Sequence, residues 1–446
     1  MFIQAWRHAP THRKVWALAA PMILSNLSVP LVALVDTAVV GHLPHAHQLG
    51  AVAVGSSLYV LIVGLLSFLR MGTTGFAALA SGRGDGSALR QVLLQGLLLA
   101  GLLALILGLL AVPFGDAALG LMNPSNELQA LAREFLHTRL FGLPAALASY
   151  ALIGWLLGTQ NARAPLMIML TTNALNIALS LWFVLGLDWE VVGAARAAVL
   201  AEWGGLLLGL ALTRGALRRH PGRTRWSAMA QWQSWRGMLA VNRDIFLRSA
   251  MLQLVFLLMT IQGARLGDAT VAANALLLNG LLVTAYALDG LAHAVEALCG
   301  HAIGARDRLG LRLSLVVSGG WSLLASLLFA LFFLLGGPLF VSLQTDIPAV
   351  RENALIYLPY LALLPLLAVW SYLLDGLFIG ATRAREMRNA VLIALLLALP
   401  IGLALQGYGN HGLWLAFLSF MALRGLSLGL MAWQMARRDV WFSESR

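Results

Sequence analysis

Long apolar runs broken by short polar ones dominate the chain. Crossing the hydrocarbon core of a bilayer takes about 20 apolar residues in a helix. Runs of that order occur at 15–40, 49–80, 89–112, 135–157, 165–185 and 191–212, and again at 245–264, 271–303, 313–340, 354–379, 390–405 and 413–435. The pattern therefore predicts an all-α polytopic membrane protein of about twelve transmembrane helices, several of them long enough to tilt or bend. Its longest polar stretch, 214–243, is rich in Arg, Trp and Gln and separates six spans from six. The predicted domains are thus an N-terminal six-helix lobe (1–213), a cytoplasmic linker (214–243) and a C-terminal six-helix lobe (244–446).

An internal repeat supports this division. A constant offset of 222 relates Gly41 to Gly263, Gly82 to Gly304, Asp85 to Asp307, Tyr150 to Tyr372, Gly154 to Gly376, Gly158 to Gly380 and Arg163 to Arg385. Seven ungapped matches are hard to obtain by chance. An even number of spans separates the equivalents, so the two lobes share one orientation and are expected to be related by a pseudo-two-fold axis along the membrane normal. Parallel repeats of this kind build transporters that open alternately to the two sides.

Composition agrees with a membrane setting: of 446 residues, 60% are hydrophobic and 11% charged, unlike a soluble domain. The net charge of +11 would suit nucleic acid, but its placement points elsewhere. Basic residues fill alternate loops, at Arg13 and Lys14, Arg83 and Arg90, Arg163, Arg214 to Arg225, Arg306 to Arg312, Arg383 to Arg388, and Arg437 with Arg438. By the positive-inside rule both termini lie in the cytoplasm; the basic loops would meet anionic membrane lipids, and no nucleic-acid partner is expected. Cys299 is the only cysteine, which excludes a disulfide framework and a thiolate metal site. The basic start followed by an apolar run resembles a signal peptide, but the run is too long and more spans follow, so it reads as the first helix.

Against this background Asp36 stands out as the only ionisable residue between Val15 and Val40. A charge at that depth costs roughly 2.5 to 3.5 kcal/mol on insertion scales, which marks a functional site unless a basic neighbour merely neutralises it. Its equivalent at the 222 offset is Leu258, so the acid belongs to one lobe only. Pro21, about four turns earlier on the same helix, removes a backbone hydrogen bond and permits a hinge; equally, it is one of the many kinks that membrane helices carry. Asn173 and Asn176 lie at i, i+3 on the fifth span and face one side, where they either meet Asp36 or hold helices together by packing hydrogen bonds. Ser180 extends that face. Glu202 is a second in-span acid, with Arg196 as its candidate neutraliser.

In the second lobe Tyr286, Asp289, His293 and Glu296 recur at spacings of 3, 4 and 3 on one helix face. With Asp375 and Arg248 they form either a proton- or cation-sensitive network or a purely structural set of ion pairs; a metal site would need further ligands in fixed geometry. Gly407 to Gly412 matches G-x-G-x-x-G, but it follows an apolar span rather than a strand, so no nucleotide reading survives. His42, His45 and His47 read only as a loop cluster. With no Walker motif and Lys14 the sole lysine, ATP is not the motor, no cofactor is expected, and an ion gradient of H⁺ or Na⁺ is the natural alternative. No nucleophile, base and orienter stand together, so an enzyme is not expected.

Several strings also resemble a known family. Leu18-Ala-Ala-Pro21-Met-Ile-Leu-Ser-Asn26, Val35-Asp36-Thr-Ala-Val-Val-Gly-His-Leu43, Asn242-Arg-Asp-Ile-Phe-Leu-Arg-Ser249, Thr284-Ala-Tyr-Ala-Leu-Asp-Gly290, Tyr372-Leu-Leu-Asp-Gly376 and Gly380-Ala-Thr-Arg-Ala-Arg-Glu-Met-Arg-Asn389 are similar to the DinF branch of the multidrug and toxic compound extrusion (MATE) family. The resemblance runs nearly end to end. It implies a monomeric antiporter of the bacterial inner membrane, with two six-helix lobes in a V shape, that exports organic, cationic or amphipathic small molecules against an inward flow of H⁺ or Na⁺. It carries the family's cation site onto Asp36, Asn173 and Asn176 and its bending proline onto Pro21. Where several relatives have an Asp one turn after the second asparagine, this chain has Ser180, which removes a carboxylate. Proton coupling is the leading expectation, with Na⁺ coupling as its close variant. A lipid-linked oligosaccharide flippase of the same architecture is the alternative; it would call for several basic residues inside the spans, and these are few, mainly Arg139, Arg196, Arg248 and Arg424. A channel would leave the duplicated lobes with one asymmetric acid unexplained.

Overall fold

The computed structural model describes residues 2–41, 43–122 and 125–442, and His42 lies outside them. After a short helix, Phe2–Trp6, the first half contains α1 (Ala9–Gly41), α2 (Ala46–Leu65), α3 (Phe68–Gly82), α4 (Gly86–Met122), α5 (Asn126–Leu140), α6 (Leu143–Gly158), α7 (Arg163–Ser180) and α8 (Glu190–Leu217). The second contains α9 (Trp232–Arg265), α10 (Asp268–Gly304), α11 (Arg308–Ser342), α12 (Pro348–Gly380), α13 (Ala384–Ala404) and α14 (Gly409–Arg437). Among the described residues eleven spans are long and apolar enough to cross a membrane, and twelve when α5 and α6, which meet at 46°, are taken as one. This is the all-helical polytopic fold that the apolar runs predict. Exposed Leu105, Leu109, Leu334 and Leu335 give the helices an outer surface suited to acyl chains, and the helical backbone satisfies its own polar groups there.

By contacts the chain divides into two units, Leu24–Met238 and Met1–Ile23 with Leu239–Arg446. One division falls inside the polar 214–243 stretch. The other falls within α1, two residues after Pro21. The first unit is packed around Leu152, Trp155, Leu156, Ile168 and Leu206, and the second around Leu277, Phe333, Leu361, Trp414 and Phe417.

The repeat is visible in local geometry well beyond the residues that match in sequence. α3 and α10 end at Gly82 and Gly304, and α4 and α11 begin at Gly86 and Arg308, all at the 222 offset. In the turns between them Asp85 and Asp307 donate their backbone N–H to the carbonyls of Ala80 and Ala302. Their carboxylates then cap the following helices by accepting from the N–H of Ala88 (2.9 Å) and Gly310 (2.8 Å). Positive φ recurs at Gly84 and Arg306, and at Gln160 and Thr382.

The close approach of helices is repeated as well. A Cβ on Gly154 would lie 2.3 Å from the carbonyl oxygen of Arg70, and one on Gly376 would lie 2.6 Å from that of Ala292. Gly158 and Gly380 stand in the same relation to the carbonyls of Thr74 and Glu296, at 2.6 and 2.5 Å. These helix pairs therefore pack backbone to backbone, and small residues are what allow it. Gly154→Ala and Gly376→Ala are each expected to destabilise the purified protein by about 1–3 kcal/mol through overpacking, read as a lower melting midpoint in detergent. Gly101→Ala, where no atom lies within 4 Å of the added carbon, is the control expected to leave the midpoint unchanged.

The polar linker is tied down rather than loose at its start. Arg90 on α4 donates to the carbonyls of His220 (2.5 Å) and Leu217 (3.2 Å), and the backbone N–H of Arg223 donates to Ser87 Oγ (3.1 Å). Burial, reinforced by the positive charges of Arg90 and Arg219, pushes the His220 imidazole below its ordinary range, which favours the neutral ring in this clasp.

Candidate functional site

The polar residues of the first unit converge on α1 and α7. Asn176, buried on α7, donates Nδ2 to both carboxylate oxygens of half-buried Asp36, at 3.1 and 2.9 Å. Ser180, one turn on, donates Oγ to Asp36 Oδ1 at 3.4 Å. Asn173, one turn earlier, does not join them: its Nδ2 donates to Ser28 Oγ at 2.7 Å, two turns before Asp36 on α1, and the Ser28 hydroxyl donates to the carbonyl of Ser25. The side-chain oxygen of Asn176, Oδ1, is buried and accepts no hydrogen bond. Directly after Ser180 the helix widens into a π-helical segment, Leu181–Gly186, a deviation that recurs at functional sites.

Glu202, half-buried on α8, centres a second polar group in the same unit. Arg139 donates to its Oε1 at 3.0 Å, and the Tyr59 hydroxyl lies 3.2 Å from both oxygens. The guanidinium also stacks over the Tyr59 ring at 3.9 Å, a cation–π contact. Arg196 is not the neutraliser that the sequence suggests; it lies over the Trp189 ring instead. Six residues apart on one helix, Arg196 and Glu202 point about 120° away from each other. Arg139 reaches Glu202 from α5, just before the break at Phe141 and Gly142. That break is shaped around the pair: a Cβ on Gly142 would sit 1.9 Å from Glu202 Oε2, and Trp203 Nε1 donates to the Phe141 carbonyl at 3.0 Å. Two opposite in-span charges were the available signal for this pair.

In the second unit the predicted polar residues fall into two groups. His293 Nδ1 lies 3.2 Å from Glu296 Oε1, both side chains buried on α10, with Tyr286 and Asp289 half-buried on the same face. Asp375 on α12 accepts from both Arg248 on α9 and Arg424 on α14 through Oδ2, so three helices meet at one carboxylate. Arg424 is the member of this cluster that the network expected from the sequence, the α10 face with Asp375 and Arg248, did not include. Asp375 Oδ1 and the Nε atoms of both arginines are buried without hydrogen bonds. Among the described residues no three His, Cys, Asp or Glu side chains are placed to hold a metal ion.

The repeat offset relates the Asp36 site to a cavity in the second unit. Asp36, Asn173, Asn176 and Ser180 correspond to Leu258, Leu395, Ala398 and Gly402, and all four line a cavity of about 200 Å³ among α9, α13 and α14. The same site is thus polar in one half and hollow and apolar in the other.

A duplicated multi-pass helical scaffold with carboxylates buried inside its units defines a membrane carrier. The MatE family model matches residues 21–182 and 245–404, one copy in each half, and the chain belongs to that family: it is a multi-pass membrane transporter, not an enzyme. It is 46% identical over 97% of its length, and 94% of the relative's, to DNA damage-inducible protein F of Escherichia coli K12. It is 26% identical over 96% of its length, and 95% of the relative's, to a probable multidrug resistance protein NorM of Rhizobium meliloti. A solved structure described as MATE in the bent conformation superimposes with a TM-score of 0.88 at 20% identity, covering 99% of this chain and 98% of that one.

Proposed function

We propose that this transporter is a proton-coupled exporter of organic amphipathic compounds in the bacterial inner membrane, monomeric and with both termini in the cytoplasm. Multidrug relatives supply the class of cargo, and the alternation of basic loops supplies the orientation. The coupling reading is carried by one observation: Asp36 faces donors, with the Asn176 amide spanning both of its oxygens. That arrangement suits an ionised, acceptor-only carboxylate. In this cycle Asp36 gains a proton when the site opens outward. Once protonated, one oxygen becomes a donor and no longer fits against the Asn176 N–H. Turning that amide over would offer its unpartnered carbonyl oxygen as the acceptor instead. The exchange alters how α1 is held along its second half, and Pro21, beside the point where α1 passes from one contact unit to the other, supplies the bend.

The same unpartnered carbonyl oxygen favours a second reading. Together with the Asp36 carboxylate it offers oxygen ligands to Na⁺, which prefers them as hard cations do. The two readings part in everted vesicles. Adding a transported compound is expected to dissipate an imposed pH gradient equally with and without Na⁺. Dissipation that requires Na⁺, or transport driven by a Na⁺ gradient at equal pH on both sides, overturns proton coupling.

A further inference from the structure

We propose that the cavity of the second unit is a binding site for the apolar part of a transported compound, with an anionic head held at Arg265. The position of the cavity is the first argument. All four residues equivalent to Asp36, Asn173, Asn176 and Ser180 line it, so the duplication has kept one site in both halves and divided its chemistry. In the first half Asn176 and Ser180 donate to Asp36, and Asn173 donates to Ser28. In the second, Leu258, Leu395, Ala398 and Gly402 carry no hydrogen-bonding side-chain group, and Ala398 and Gly402 are much smaller than the Asn and Ser they replace. The space they leave open is the cavity.

Its size and lining set the ligand. A dry cavity of about 150 Å³ accommodates one benzene ring, so about 200 Å³, open on one side, takes a fused aromatic pair or a short branched alkyl group. Phe417 and Phe420, both buried, give aromatic walls for such a group. The polar lining is confined to Gln262, Gln406 and Arg265. Arg265, at the end of α9, makes no ion pair among the described residues and is exposed. No acidic side chain lines the cavity. An unpaired guanidinium beside an apolar hollow selects a carboxylate or sulfonate over an ammonium. Amphipathic organic anions are therefore the substrate class of this site, and the assignment rests on the export reading only in calling the occupant a transported compound.

A matched pair of probes tests it: 2-naphthoate and 2-naphthylmethylammonium, equal in ring size and opposite in charge, titrated calorimetrically into the full chain in nanodiscs of zwitterionic lipid. Naphthoate is expected to bind at least tenfold more tightly than the ammonium. Ala398→Phe, which fills the hollow, is expected to abolish binding, and Gly402→Leu repeats the test from the next turn should the first variant misfold. Arg265→Gln is expected to weaken naphthoate about tenfold and leave the ammonium unchanged. Binding of naphthoate that survives both filling variants, or equal affinity for the two probes, overturns the proposal. Loss of binding when the zwitterionic lipid is exchanged for phosphatidylglycerol overturns it too, since a lipid then owns the site. Asp36→Asn separates this claim from the export reading: naphthoate binding is expected to persist in that variant whether or not it transports.

Discussion

Asp36→Asn is expected to reduce pH-gradient-driven export in proteoliposomes to the level of empty vesicles, with elution profile and thermal stability unchanged. The substitution keeps shape and volume, and the new amide still accepts from Asn176 through its oxygen, so the contact between α1 and α7 persists. What it removes is the ability to exist in two protonation states. A carrier coupled through one carboxylate fails completely when that group cannot titrate, whereas loss of an orienting partner only weakens it. Ser180 makes the dependence sharper, because no second carboxylate stands one turn beyond Asn176. Glu202, another half-buried acid of this unit, already holds an ion pair with Arg139 and is no ready substitute. Undiminished gradient-driven export by the variant would remove Asp36 from the coupling mechanism and direct attention to Glu202 or to the His293 and Glu296 pair.

The spans and the repeat were legible because the bilayer allows few alternatives: backbone polar groups must be satisfied within each helix, and apolar side chains must continue for about 20 residues. Asp36 was legible for the same reason, as an exception to the rule. Helix periodicity put Asn173 and Asn176 on one face and left open whether either meets Asp36; Asn176 does and Asn173 does not. The face was right, but the target is Ser28, a residue whose hydroxyl bonds to its own helix and which carries no mark of function in the sequence. Partners from other helices were less accessible still. Apart from their opposite signs nothing along the chain links Glu202 to Arg139, and the nearer Arg196 is excluded only by its angle around α8. Positive φ at Gln160 and Thr382 is unmarked by glycine. The cavity of the second unit was hidden for a different reason, since it consists of volume absent from Ala398 and Gly402 and becomes meaningful only when the offset is applied to residues that do not match.

Asp375→Asn is expected to be the most destabilising substitution in the second unit. Arg248 and Arg424 both donate to one oxygen of Asp375, and all three side chains are less than a tenth exposed. The cluster sets two positive charges against the one carboxylate to which both guanidinium groups donate. Replacing it by a neutral amide leaves two like charges buried together. Removing one partner of a buried pair costs about 3–5 kcal/mol, a large part of the roughly 5–15 kcal/mol that holds a typical domain together. The variant is expected to be recovered largely as aggregate in fluorescence-detected size exclusion, and recovery as stable as the wild type would show that the charges are compensated elsewhere. Replacing all three charges by apolar residues of similar volume, Asp375→Leu with Arg248→Met and Arg424→Met, is expected to restore folding, because the desolvation cost disappears together with the attraction. Transport by that folded triple variant then decides what the cluster is for. Export at the wild-type rate makes it a structural pin for α9, α12 and α14. Loss of export in a stable protein makes its charge part of the transport cycle, a role that the single variant cannot reveal because it fails to fold first.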